Sequence, residues 1–454
     1  MNFRKRIVSA LGAAALIAAL ISLSITHTGD TGSAPGSLFS RRTTLELWYS
    51  DTALTDYLTD AAVAFNESNS DYRVDLHAVE DPDYLDAINT ASVKNKDLPD
   101  IYIISNDALG RAAQAGLTSV IDDKKHFGND DIFPKAAKNA VTYDGQYVAY
   151  PLYFESAAFL YNKDYLQSMA DNLNESLDDA IPSTMVDVIN LSNAFDAPEN
   201  VTDVLKWDVG DIFYNYYFIG NYINVGGDAG DDPNNILIYN QNAIQCLKVY
   251  QQLKDYFAID TDTDDYSDVI NDFADGKIAF TVATSDAVKT IRDKVASGDC
   301  KISYGVSKLP DFTDDLLTKT MSETHCLVVN GYSEHQDGAN QFCQFLLDQN
   351  MQDFYDMTGK VSAQAGIHYS DEHVNGFYES YINSVPMTKL RAASNFWMLL
   401  ENAFSLVWEG EDPNETLRKL TEQMVLEISG TDIKVNKIDD PPALNIASEL
   451  SESD

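Results

Sequence analysis

Positive charge and cysteine are what this chain has least of. Lys and Arg number 31 against 71 Asp and Glu, a net charge of −40 over 454 residues. That balance repels nucleic-acid phosphates and anionic membrane surfaces, so neither is an expected partner. It favours solubility, and a solvated acidic surface is its simplest reading; a cationic ligand is the sharper one. The four cysteines, Cys246, Cys300, Cys326 and Cys343, form no CxxC pair, which leaves no basis for a zinc site or a redox motif. Outside the cell they would allow two disulfides, with pairing left open. Cys343 lies in the apolar stretch from Gln341 to Leu347 and reads equally well as a buried thiol. The seven histidines are scattered without an HExxH, and neither a GxSxG elbow nor a GxxxxGK[ST] phosphate loop is present. No catalytic residue, metal site or cofactor is therefore expected. The run from Asp260 to Asp268 alternates carboxylates like a calcium loop. It puts Asp265 where the sharp-turn glycine belongs and Asn271 at position twelve, so a solvated acidic loop is expected instead.

The N-terminus is basic and then apolar. Arg4, Lys5 and Arg6 precede an uncharged run from Ile7 to Ile25, the order of a secretory signal and close to the length of a membrane span. No Cys follows it, so a lipoprotein is not expected. No clean small-x-small cleavage site follows either. An uncleaved signal anchor and a cleaved signal peptide both stay open, the anchor slightly favoured; in either case the protein is expected to be exported to the outer face of the cytoplasmic membrane. Thr26 to Ser40 is rich in Gly, Ser and Thr and reads as a flexible tether.

Further on, hydrophobic periodicity alternates between two and 3.6. Thr44 to Tyr49 reads as a strand, and Leu54, Leu58, Ala61 and Phe65 then share a helical face. Tyr72 to Val79 is a second strand, Asp83 to Val93 a helix, and Asp100 to Ile104 a short buried strand. Asn242 to Phe257 and Asp337 to Leu347 are amphipathic helices, and Lys277 to Ala283 and Cys326 to Asn330 are strands. Ser394 to Glu427 is helical with a break at Gly410 to Pro413. The pattern is α/β, with helices on both faces of a sheet. The acidic tail from Asn436, carrying Pro441-Pro442, is expected to be disordered. There is no internal repeat.

A series of segments carries a resemblance. GQYVAYPLYFESAAFLYNKDYL at 145–166 is preceded by TLELWYS at 44–50 and LPDIYIISNDALGRAAQAGLTSVID at 98–122. It is followed by DFADGKIAFTV at 272–282, ISYGVSKLPDF at 302–312, AGIHYS at 365–370 and ASNFWMLLENAFSLVWEGEDPNETL at 393–417. In this shared order the chain resembles bacterial extracellular solute-binding proteins of family 1, the maltose- and oligosaccharide-binding receptors of ABC importers. The resemblance implies a two-lobe, type II periplasmic-binding-protein-like fold with the ligand in the cleft between the lobes. It places lobe 1 at 43–153 and 327–370, lobe 2 at 154–326 and 371–435, a signal and tether at 1–42, and the tail at 436–454. It also implies a monomer that takes an oligosaccharide, closes about a hinge, and delivers its ligand to the transmembrane subunits of a permease.

Sugars present apolar ring faces and outward hydroxyls, so aromatic platforms with fixed carboxylates are the residues to seek. The resemblance places Trp48, Tyr49 and Asp51 at the end of the first strand, Glu80 after the second, and Asp107 after the third. It places Glu155 past the crossing, Tyr214 and Tyr216 in the aromatic run IFYNYYF, Asp286 after a strand, and Trp397 at a helix start. Each has a plainer reading: a Trp or Tyr at a strand end is as often core as platform, and the aromatic run reads also as helix core. The sequence departs from maltose binders at Ile104, Ala108 and Asp286, where aromatic or basic groups are replaced, and between Gln167 and Lys206, where a proline-tryptophan turn is absent. The ligand is thus an oligosaccharide other than maltose or, alternatively, a cationic solute such as a polyamine or basic peptide. A secreted carbohydrate-active enzyme is a third reading, weakened because no local motif pairs an acid with a nucleophile.

Overall fold

Two mixed sheets form the frame of the molecule. The computed structural model describes residues 42–257, 259, 264–349, 351–393, 395–444 and 446. From Thr44 onward these belong to one compact unit, which holds both sheets. The N-terminal apolar run and its tether lie outside the described residues. No helix among the described residues is long and apolar enough to cross a membrane.

The first sheet orders its strands Val361–Ser362, Tyr150–Ser156, Met321–Val329, Ile101–Ser105, Thr43–Tyr49 and Tyr72–Ala78, with Val385–Pro386 paired to Met321–Val329. Thr43–Tyr49 and Ile101–Ser105 run parallel, whereas Met321–Val329 is antiparallel to both of its long neighbours. Alternation explains the first strand: Leu45, Leu47 and Tyr49 are buried while the residues between them are half-buried. The helix Thr55–Ser68 buries Tyr57, Leu58, Ala61, Ala62 and Phe65 at helical spacing. The expected strand at Cys326 is longer than its apolar part. It starts at Met321, because the polar residues Ser322 to His325 also pair with Tyr150–Ser156.

The second sheet orders Tyr304–Ser307, Ala158–Asn162, Ile278–Ala283 and Asp203–Leu205. Every residue of Ala158–Asn162 and Ile278–Ala283 is buried, as befits strands covered on both faces. The chain passes from one sheet to the other across Ala157 alone, since Ser156 ends a strand of the first and Ala158 begins a strand of the second. The C-terminal helices are Phe396–Trp408 and Pro413–Ser429. Between them Gly410 adopts φ +108°, a left-handed backbone that suits glycine, and Asp412 caps the next helix by accepting from Asn414 N at 3.1 Å.

One alternative left open by the sequence is settled, and one expectation is corrected. All four cysteines are buried and free, so neither disulfide is formed. The segment after Asn436 is not a loose tail where it is described. Asn414 donates to the Ile438 carbonyl at 3.0 Å, Gln252 donates to the Leu444 carbonyl at 2.9 Å, and Ile446 is fully buried. The segment's few apolar residues dock it: Ile446 joins the second sheet's core, and Ile438 and Leu444 pack against that core. The acidic loop is partly outside the described residues. Where it is described, Asp264 pairs with Lys206 at 2.9 Å and Asp265 caps the helix Tyr266–Ala274.

Candidate binding cleft

The site is built on two antiparallel strands. Register sets Glu155 opposite Glu323 and Tyr153 opposite His325. Residues two apart on a strand share a face, so all four side chains project to the same side. Two carboxylates facing each other repel, and the first consequence is a demand for a cation. Lys360, just before the edge strand Val361–Ser362, meets part of it: its Nζ donates to Glu155 Oε1 at 2.9 Å and lies 3.5 Å from Asp51 Oδ2. The Tyr153 ring stacks on His325 with centroids 4.3 Å apart, and its hydroxyl donates to Asp51 at 3.1 Å. Asp107 accepts from the Ser105 hydroxyl on the helical turn Asn106–Ala108. Buried Asn106 ties that turn down, accepting from Thr324 N at 2.8 Å and donating to the Met387 carbonyl at 3.0 Å.

The electrostatics follow from burial and crowding. Burial pushes the Glu323 carboxyl up to about 7, helped by the neighbouring charges of Asp107 and Glu155. Burial also holds the His325 imidazole down to about 4, against the pull of the nearby carboxylates. At Asp51 burial alone would raise the carboxyl. Lys360 and the hydrogen bonds from Ala53 and Tyr153 outweigh it and hold the group below its ordinary value. Ligand atoms of Glu155, Glu323 and His325 lie within 4.8 Å of one another, a spacing a metal ion could use. The Lys360 ammonium already sits against Glu155, however, and competes with any ion there.

Aromatic side chains face this cluster from the second sheet's side. Asp211 caps the short helix Ile212–Asn215, accepting from Phe213 N at 2.7 Å. Tyr214 stacks on Tyr266 at 4.7 Å with rings 10° apart, and the Tyr266 hydroxyl donates to Asp286 at 2.9 Å. Trp397 is the second residue of Phe396–Trp408. Phe396 is buried in the core, whereas Trp397 is half-buried and meets Tyr216 edge-on at 5.7 Å. A cavity of about 340 Å³ opens between Glu155, Glu323 and Met321 on one side and Asp211, Phe213, Tyr214 and Trp397 on the other. A neighbouring cavity of about 280 Å³ lies against Asp51, Tyr153 and His325, with Ile104, Ala108 and Arg111 on its wall.

Of the residues singled out in the sequence, Asp51, Glu155, Tyr214 and Trp397 line one or other cavity, and Asp107 adjoins them. Asp286 is exposed and held by Tyr266 and Thr284. Tyr216 is buried behind Trp397 and supports it. Tyr49 is a core residue, because alternation sets it on the face of Leu45 and Leu47; its hydroxyl donates to Thr55 at 3.1 Å. Trp48 is half-buried opposite Tyr102 and packs against the first sheet's core, lining neither cavity. Glu80 is exposed and lines neither. Sequence reasoning missed Tyr153, Glu323, His325 and Lys360. Alternation from Glu155 points to Tyr153, and the polar residues at 323 and 325 in MSETHCLVV carry the same signal. Lys360 carried none.

The comparisons with known proteins fit this geometry. The galactooligosaccharide-binding protein of Bacillus subtilis is 22% identical over 427 residues, covering 90% of this chain and 94% of that protein. The maltodextrin-binding protein of the same organism is 21% identical over 338 residues, 70% of this chain and 74% of that protein. Among solved structures, an extracellular solute-binding protein from Staphylococcus aureus in complex with maltose aligns with a TM-score of 0.71 at 19% identity, over 86% of this chain and 99% of that one. A cyclo/maltodextrin-binding protein complexed with maltotetraose aligns with a TM-score of 0.72 at 21% identity, over 87% of this chain and all of that one. These likenesses establish the two-lobe α/β fold expected from the segment order. Residues 60–374 match the family described as bacterial extracellular solute-binding protein. With most of its length matched and two sheets framing a cleft, the chain belongs to the bacterial extracellular solute-binding protein family.

Proposed function

We propose that this chain is the receptor of an ABC importer and holds an oligosaccharide in the cleft between its two sheets. The observation that carries the reading is the cavity of about 340 Å³ with Trp397, Phe213 and Tyr214 on one side and Glu155 and Glu323 on the other. A sugar ring packed on such aromatics loses apolar surface to water, while carboxylates accept from its hydroxyls. The related binding proteins named above take galactooligosaccharides and maltodextrin, which supports the same ligand class here. No step of bond cleavage is assigned: the cleft carboxylates serve as acceptors, and the protein acts as a receptor rather than an enzyme.

The lobes in this reading are 43–153 with 327–370 and 154–326 with 371–435, joined by crossings near 149–155, 322–326 and 367–373. Ligand contacts both, and closure about the crossings presents one face to the permease. The protein works as a monomer at the outer face of the cytoplasmic membrane, held by its N-terminal segment or by the importer. N-terminal sequencing of the mature chain separates anchor from cleaved signal. The function itself is tested by thermal-shift screening of oligosaccharides, polyamines and basic peptides, followed by calorimetry on the hits. Stabilisation by a saccharide supports the reading; stabilisation by polyamines or peptides alone refutes it, as does hydrolysis of the bound sugar.

A further inference from the structure

The cavity beside Trp397 is one-sided in its hydrogen-bonding chemistry. Three of its lining residues are carboxylates: Glu155, Glu323 and Asp211. An ionised carboxylate only accepts. The lining side chains able to donate are the Thr284 and Tyr214 hydroxyls and the Trp397 indole; no Lys, Arg, His, Asn or Gln is in the wall. Charge is equally one-sided. Lys360 is shared between Glu155 and Asp51, at 2.9 and 3.5 Å, and so serves two carboxylates at once. Glu323 also faces the carboxylates of Asp107 and Glu155, and burial first, then those two charges, push its carboxyl up to about 7, so a cation placed beside it favours the ionised, accepting form. A neutral sugar hydroxyl both donates and accepts, so a wall of acceptors uses half of its capacity. An ammonium on a sugar ring only donates.

We propose that this cavity selects an aminated saccharide, an oligosaccharide bearing a free protonated amine, with Glu323 and Asp211 receiving the ammonium and Trp397 and Tyr214 packing on the ring. The inference rests on the oligosaccharide reading above and narrows its ligand class. Glu155 stays with Lys360 and accepts from hydroxyls. Asp211 retains one oxygen for Phe213 N and turns the other to the ligand. An ammonium beside Glu323 favours its ionised form and offsets the neighbouring charges of Asp107 and Glu155.

The test is calorimetry on the full chain with four probes: a glucosamine tetramer, its fully N-acetylated counterpart, maltotetraose and spermine. The glucosamine tetramer is expected to bind at least tenfold tighter than the acetylated one, and raising the salt concentration is expected to shrink that ratio. Glu323→Gln is expected to shrink it too, and Asp211→Asn is the second variant should the first fail to fold. Equal or tighter binding of either neutral tetramer overturns the amine inference and leaves the oligosaccharide reading standing. Binding of spermine with no binding of any saccharide overturns both, and a failure of all four compounds to bind overturns the amine inference.

Discussion

Replacing Trp397 by Ala separates the binding reading from a packing one. Trp397 is half-buried and lines the cavity; it packs against the edge of the second core, and its ring contacts are an edge-on meeting with Tyr216 at 5.7 Å and a tilted one with Phe396 at 4.9 Å. A pyranose stacked on the indole removes on the order of 70 Å² of apolar surface from water, which at about 25 cal/mol per Å² is about 2 kcal/mol. The expected loss of affinity is therefore roughly thirtyfold. The lost ring contacts cost about 1 kcal/mol of stability. Trp408 is the control: it is 1% exposed and packs against Trp207 and Tyr250, so Trp408→Ala is expected to cost about 3–5 kcal/mol. Both variants are read by titration calorimetry with the tightest saccharide from the screen and by thermal melting. Unchanged affinity in Trp397→Ala, together with a melting shift as large as that of Trp408→Ala, refutes the placement of the cleft.

Three further outcomes are expected. Glu323, its folded carboxyl raised to about 7, contributes stability that is present below its ordinary value near 4.5 and lost as pH rises through 7. His325, lowered to about 4, contributes stability that is present above 6.5 and lost as pH falls through 4. The two slopes oppose one another, so Glu323→Gln should make denaturant stability rise with pH between about 4 and 6.5, and a flat profile in that variant counts against the cluster. Lys360→Met leaves Asp51 and Glu155 without their shared ammonium. It should cost about 1 kcal/mol, read from the urea midpoint, since the pair is only half-buried; a gain in stability would show the ammonium is not needed there. A thiol reagent should find four free thiols in unfolded, unreduced protein and next to none in the folded chain, where burial raises the thiols of Cys246, Cys326 and Cys343; two or zero in the unfolded chain would reveal a disulfide.

Much of the fold was legible because it is local. Alternation fixed Thr43–Tyr49 and Tyr72–Ala78 to within a residue, and helical spacing found Thr55–Ser68, Gln241–Leu253 and Gln336–Leu347. Glycine and proline chemistry marked the break between the last two long helices. The segment order placed Glu155 and Trp397 in regions that turn out to face each other. Which aromatic is platform and which is core was not local. Tyr214 and Tyr216 lie two residues apart in one run; the cavity wall includes the first, while the second is buried behind Trp397. The partner of a strand cannot be read from the strand itself, so the pairing of Glu155 with Glu323 became visible only in the register of chain segments 168 residues apart (323 − 155). Lys360 joins them from a third stretch, and its ammonium depends on a strand edge that sequence periodicity does not mark. The sequence by itself determined the elements, their order and the family of the chain, because those rest on short-range periodicity and on segment likeness. Tertiary structure alone decided the charge of the cleft, because burial and close approach, not residue type, set whether a carboxyl holds its proton.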